Sequence, residues 1–163
     1  MTPSVSPATA KDLSAITALL KTCKLPLQGI EQHLDTALVA RENGELVACA
    51  AVEIYGSVGL LRSVAVRPDH RGTGLGQRVT AAALELARQR GLTNVYLLTT
   101  TAGEFFPRFG FVPVARSQLD PALSQSEELR GACPASALAM RLELSTSSPP
   151  FPRSSAQPPA LPG

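Results

Sequence analysis

The stretch Val64-Ala65-Val66-Arg67-Pro68-Asp69-His70-Arg71-Gly72-Thr73-Gly74-Leu75-Gly76 decides how the rest of the chain is read. An apolar strand end runs into a turn at Pro68, and three glycines at alternate positions then open a long helix. Glycine has no Cβ, so the backbone can approach a bulky anion. The first-turn N–H groups of a helix have no partner within it, and its dipole places positive charge at that end. Together these features suit a diphosphate. The spacing is G-x-G-x-G with an arginine before it. The dinucleotide fingerprint needs G-x-G-x-x-G with an acidic residue about 20 positions later, and a P-loop needs G-K-S/T. Neither is present here.

Working outward, residues 74–90 form the longest helical pattern, with Leu75, Val79, Ala82, Leu86 and Ala87 as its apolar stripe and Gly91 as its stop. Upstream, residues 58–66 read as a strand, Gly56-Ser57 as a turn, 46–55 as a strand, Asn43-Gly44 as a tight turn and 37–41 as a strand. Residues 10–23 read as a helix through Leu13, Ile16, Leu19 and Leu20, with Asp12 in its first turn. Leu25-Pro26 ends it, and a short helix is expected over 29–34. Downstream, 94–98 is a nearly continuous apolar strand of the kind found in a sheet covered on both faces. A short helix over 102–109, a strand over 111–114, a partly helical stretch over 121–129 and a closing strand over 135–144 follow. The fold class is α/β, with antiparallel hairpins before a strand–helix–strand unit.

Residues 1–144 form the expected domain. Residues 145–163 hold six of the 14 prolines among serines and have little to bury, so a disordered tail is expected there. A formal net charge of +2 without any Lys/Arg-rich run argues against nucleic-acid binding. No apolar run approaches the roughly 20 residues that span a bilayer. Cys23, Cys49 and Cys133 are odd in number and far apart, which fits neither a disulfide framework nor a metal site. They read as free thiols or small buried apolar residues, and no metal is expected. The N-terminal residues carry no secretion signal, so a cytoplasmic location is expected.

Arg71-Gly72-Thr73-Gly74-Leu75-Gly76 resembles the Q/R-x-x-G-x-G/A signature of the GNAT acetyltransferases. Phe105-Phe106-Pro107-Arg108-Phe109-Gly110-Phe111 resembles that family's F-Y-x-x-x-G-F segment, one strand later. The resemblance covers roughly residues 5–143. It implies a GNAT fold, a mixed twisted sheet of six to seven strands flanked by helices, with strands splayed at the acetyl-CoA site. It further implies that the main chain of Val64, Ala65 and Val66 pairs with the pantetheine arm. The backbone of Arg71, Gly72, Thr73, Gly74, Leu75, Gly76 and Gln77 would hold the diphosphate, and Phe106 and Arg108 would lie against the cofactor. A narrower resemblance rests on Leu60–Val66, Tyr96–Ala102 and Cys133–Ala137, and is to the arsenic-resistance-associated branch of the family. It implies an amino-acid-like or arsenical acceptor. The activity implied is direct transfer from acetyl-CoA to the amine of a small molecule, with a homodimer allowed. The alternatives are a non-catalytic acyl-CoA sensor and an acetyltransferase of proteins or peptides.

Acetyl transfer to an amine needs a proton acceptor for the amine and a proton for the departing thiolate. Many family members place a tyrosine in the second block, where this chain has Phe106. Tyr55, Tyr96, water or unaided departure remain for the thiolate. Glu53 is the candidate base. A turn of two or four residues after Tyr55 would put Glu53 on the same sheet face as Arg62. Arg62 could then hold an acceptor's carboxylate. The bland reading of the same two residues is a cross-strand ion pair. His33 and Thr100 are candidates for acceptor contact. His70 is expected to face solvent or the cofactor phosphates.

Overall fold

The computed structural model describes residues 4–99, 104–126 and 137–144. Seven strands form one sheet: β1 (Ser4–Pro7), β2 (Ala37–Glu42), β3 (Glu45–Tyr55), β4 (Val58–Val66), β5 (Asn94–Thr99), β6 (Val112–Val114) and β7 (Leu138–Glu143). Their spatial order is β1-β2-β3-β4-β5-β7-β6. Only β4 and β5 run parallel; every other neighbouring pair is antiparallel. That parallel pair needs a crossover, which α2 (Leu75–Gln89) supplies. The expected count of six to seven strands is met. The edge strand β1 carries no distinct sequence signal, because one valine between serines and a closing proline is a weak strand pattern.

Two helices cover the two faces. α1 (Leu13–Thr22) buries Ile16, Leu19 and Leu20 against Val39, Cys49, Ala51 and Ala65. α2 packs Val79, Ala83 and Ala87 against Val52, Leu61, Val95 and Leu97 on the opposite face. The buried stripe of α2 is Leu75, Val79, Thr80, Ala83, Leu84 and Ala87, while Ala82 and Leu86 are only half-buried. The face is therefore rotated from the one read in sequence. The small Ala83 lets the helix lie close to the sheet, which hydropathy alone does not reveal. Gly59 shows how close the layers are: a Cβ there would lie 2.7 Å from Leu92 Cδ1 and 2.9 Å from Val52 Cγ1.

Two short helices differ from expectation. Over 29–34 the chain makes two separate 3-10 turns, Ile30–Gln32 and Leu34–Thr36, because His33 takes φ −125° between them. Of 102–109, residues 104–109 are described, and the helix among them is the 3-10 turn Phe106–Phe109, which Gly110 at φ 101° stops. A further 3-10 turn covers Pro121–Gln125. Thr100, Cys133 and the proposed tail over 145–163 lie outside the described residues. Among the described residues no helix is long and apolar enough to cross a membrane.

Both hairpin turns have two residues. Asn43 and Gly44 take φ 53° and 82°, the left-handed pair that matches the twist of the flanking strands. Tyr55 pairs with Val58 across Gly56-Ser57. The β3–β4 ladder then slips by one residue: Ala51 faces Arg62, but Cys49 faces Ala65. The extra residue lies in β4 at Ser63, whose φ is 59°. This bulge inverts the alternation, so Arg62 and Ala65 share one face while Val64 and Val66 pack with the α2 side.

Candidate active site

The β4–β5 ladder starts at Val58↔Asn94 and ends at Leu61↔Leu97. Beyond it β4 continues through Arg62–Val66 with β3 on one side and, among the described residues, no strand on the other. β5 meanwhile follows β7 away. Among the described residues the sheet therefore opens at mid-height, and the edge of β4 at Val64–Val66 leads directly to the glycine loop. There Gly72 and Gly74 take φ 81° and 85°, and a Cβ on either would meet nothing within 4 Å. Among the described residues no side chain caps α2, whose first described backbone bond is Arg78 N to Gly74 O at 3.1 Å. A main-chain edge followed by an open, positively polarised cradle fits an extended arm ending in a diphosphate. The residues present thus suit coenzyme A. Arg71 points its guanidinium back onto Val66 O (3.3 Å from Nε) and Cys23 Sγ (3.5 Å from Nη2) and so braces the loop.

Beside the cradle, Gln77, Arg78, Ala81, Arg108 and Phe109 line a groove of about 450 Å³. Gln77 and Arg108 are both exposed there. Phe106, expected against the cofactor, is a core side chain only 6% exposed, edge-on to Phe111 at 5.9 Å. The 3-10 turn aims it inward, and its neighbour Phe105 takes the place beside the loop, 3.5 Å from where a Gly76 Cβ would be.

At the opening of the sheet lies a buried polar cluster. The two-residue turn puts Glu53 opposite Leu60 and diagonal to Arg62 on one face. Arg62 Nη1 donates to Glu53 Oε2 at 2.6 Å, and Tyr55 Oη donates to Glu53 Oε1 at 2.5 Å. His33 Nε2 stands 3.7 Å from Glu53 Oε2, with its ring edge-on to Tyr55. Glu53 is 0% exposed. Burial pushes its carboxyl up, but hydrogen bonds from Tyr55, Arg62 and Ser126 outweigh that and hold it below the usual carboxylate range. The Tyr55 phenol is pushed up, first by burial and then by Glu53. Arg62 also donates from Nε to Ser63 Oγ at 3.1 Å and from Nη2 to Pro26 O at 3.4 Å. As a holder of an acceptor's carboxylate it is therefore poorly placed: all three nitrogens already meet protein oxygens, and its side chain has no exposed surface.

Three features of the site escape sequence reading. The Ser63 bulge needs the pairing register to be known. The Tyr55–Glu53 bond joins residues two apart on one strand, which alternation permits but does not demand. His70, expected to face solvent or phosphate, instead lies between Asp69 and Glu42. Of the cysteines, Cys23 and Cys49 are free thiols. Burial, and then Cys23 nearby, push the Cys49 thiol up to about 12.

The match of residues 12–111 to the model of the acetyltransferase (GNAT) family covers more than half of the chain. Amino-acid acetyltransferase of Neisseria meningitidis is 28% identical over 127 residues, which is 71% of this chain and 29% of that protein. Amino-acid acetyltransferase of Salmonella arizonae is 30% identical over 118 residues, 66% of this chain and 26% of that protein. The chain thus spans under a third of the length of these curated relatives. Among solved structures, Rv2747 from Mycobacterium tuberculosis in complex with CoA superposes with a TM-score of 0.74 at 25% identity. That overlap takes in 88% of this chain and 100% of the other. N-acetylglutamate synthase from Neisseria gonorrhoeae shares the fold, with a TM-score of 0.76 at 23% identity over 89% of this chain and 36% of the other. The open sheet, the uncapped glycine loop and the family match converge: the chain belongs to the GNAT acetyltransferase family.

Proposed function

We propose that residues 1–144 form an N-acetyltransferase domain that moves the acetyl group of acetyl-CoA directly onto the amine of a small, amino-acid-like acceptor. The observation that carries the reading is the edge of β4 at Val64–Val66, which pairs with no strand but β3 among the described residues and runs into a glycine-lined helix start. Names of relatives at 28–30% identity support an amino acid as the acceptor class. The resemblance to the arsenic-resistance branch places arsenical amino acids beside the ordinary ones as acceptors to test.

Acetyl-CoA supplies an acetyl group activated as a thioester. Val64, Ala65 and Val66 offer main chain to its arm, and residues 71–77 offer amides to its diphosphate. Arg108, exposed at the rim of the groove, meets its nucleotide end. The acceptor nitrogen forms a bond to the acetyl carbon as the carbon–sulfur bond breaks, so one proton must leave the nitrogen. Glu53 is the acceptor of that proton. Since solvent does not reach it, Tyr55 relays: its oxygen takes the proton from the amine while its own passes to Glu53 Oε1. Arg62 keeps Glu53 ionised and aimed, and His33, half-buried beside them, contacts the acceptor. The low proton affinity of Glu53 limits its driving force as a base, which suits an acceptor bound as the free amine. Phe106 offers no proton, and the thiolate leaves unaided.

The test is thiol release from acetyl-CoA by the purified chain, against a panel of amino acids, polyamines, aminoglycosides, arsenical amino acids and a peptide. Release with an amino acid and not with the peptide is expected. CoA binding without release on any acceptor would make the chain a sensor, and release with the peptide alone would move the acceptor to proteins.

A further inference from the structure

The segment entering the cradle is tied to the β2–β3 hairpin by an ionic cluster that the transfer itself does not require. His70 Nδ1 lies 2.8 Å from Asp69 Oδ1, and its Nε2 lies 2.8 Å from Glu42 Oε1. Glu42 ends β2, so the ring spans from the turn after β4 to the hairpin. Arg67 closes the cluster: it donates to Asp69 from Nε and Nη2 at 2.8 Å each, and from Nη1 to Glu45 Oε1 of β3 at 3.2 Å. On the other side, Thr73 Oγ1 donates to His70 O at 2.6 Å. His70 therefore touches the hairpin with its ring and the glycine loop with its carbonyl.

A neutral imidazole has one N–H and one lone pair, and it can donate to only one carboxylate. Two ring nitrogens, each at hydrogen-bond distance from a carboxylate oxygen, require both to be donors. The arrangement is that of an imidazolium. We propose that the doubly protonated His70 is a positioning residue that clamps the glycine loop to the β2–β3 hairpin, so that capture of acetyl-CoA weakens when the ring loses its second proton. This rests on the reading of the glycine loop as the CoA cradle. Consistent with it, hydrogen bonds to Glu42 first and Asp69 second raise the pKa of His70. Hydrogen bonds from Arg67 and then His70 hold the Asp69 carboxyl well below its usual range. The groups that set the charge around the ring are thus Glu42 from β2, Glu45 from β3, and Arg67 and Asp69 from the turn itself.

The sign follows. A pKa raised in the clamped state means that the clamp is complete below the ordinary imidazole value and lost as pH rises through the raised one. The experiment is calorimetric titration of the full chain with CoA from pH 6 to 9, with the His70 ring followed by NMR over the same range. The same titration on His70→Gln provides the baseline for the ligand's own ionisations, and melting curves check each variant's fold. Relative to that baseline, the affinity of the unaltered chain should fall about three- to tenfold, as expected for one part-buried charge-assisted hydrogen bond holding a loop. The fall should track the ring's titration. Glu42→Gln separates the clamp from a simple field effect. It removes a negative charge near the cradle, so a field alone would tighten CoA binding at every pH. The clamp instead predicts that the break moves to lower pH and that binding weakens in the interval between the two breaks. Uniformly tighter binding by Glu42→Gln, or superimposable profiles for His70→Gln and the unaltered chain, would overturn the clamp while leaving the cradle intact. Absence of CoA binding at any pH would overturn the cradle itself.

Discussion

Glu53 and Arg62 are held at 2.6 Å with neither side chain meaningfully exposed, and at this scale the chemistry and the stability of the protein are hard to separate. Changing Glu53 to Gln leaves the Arg62 charge buried without its partner, a loss that costs about 3–5 kcal/mol. A melting-temperature drop is therefore expected together with a turnover drop of about 10²-fold or more. The double change Glu53→Gln with Arg62→Met removes both charges. It should restore much of the melting temperature and none of the turnover. Recovery of turnover would reduce Glu53 to a structural group. Tyr55→Phe, which deletes only the relay oxygen, should lower kcat with the KM for acetyl-CoA nearly unchanged. The pH dependence follows from the lowered pKa of Glu53. A depressed folded pKa contributes stability that is complete above the unfolded carboxylate value and is lost as pH falls through the folded one. Acid unfolding followed by circular dichroism should thus leave this pair intact through mildly acidic pH. Any loss of activity nearer neutrality should track the acceptor amine.

At the scale of elements, β4 carries the most constraints. Among the described residues its first half pairs with strands on both sides, its second half with β3 alone, and a bulge lies near the join. Gly59→Ala pushes a methyl into Leu92 and Val52 and within 3.1 Å of Glu53 O. Overpacking of this kind costs about 1–3 kcal/mol, readable by chemical denaturation. Gly74→Ala meets no atom but must hold φ 85°, which costs an L-residue about 1–2 kcal/mol. Its larger effect should be on CoA affinity, because the amides of the loop would turn to relieve the strain. The entry to α1 is fixed otherwise. Asp12, 5% exposed, accepts from Thr9 N at 2.8 Å and from Arg41 Nη2 at 2.7 Å, joining the helix to β2. Asp12→Ala should destabilise by about 1–2 kcal/mol, since it removes a charged acceptor from two donors that water can then reach. Sequence showed Asp12 in the first turn of that helix but not the arginine it meets, which arrives 29 residues later.

Across the described residues, β7 closes the sheet by pairing with both β5 and β6, and Leu144, the last of them, is buried, its N–H donating to Thr93 O at 2.8 Å. A chain stopped after Leu144 should keep its stability within about 0.5 kcal/mol and retain CoA binding. One stopped before Leu138 should not fold, because β6 would lose its pairing partner. Much of this architecture was legible in the residues alone. Glycines at alternate positions, the Asn43-Gly44 turn and the apolar run of β5 act through backbone sterics and local periodicity, which neighbouring residues suffice to express. These set the α/β class and the open glycine loop. The composition of the buried polar cluster around Glu53 was open until the register was known. Whether Glu53 shares a face with Arg62 depends on a turn of two residues rather than three. Whether Arg62 meets an acceptor or the protein interior depends on Ser63 and on the carbonyl of Pro26, 36 residues away. Likewise, the stripe of α2, the inward turn of Phe106 and the clasp of His70 by Glu42 come from packing between segments that are distant along the chain. Local rules fix backbone shape; only the assembled sheet decides which charges end up in contact.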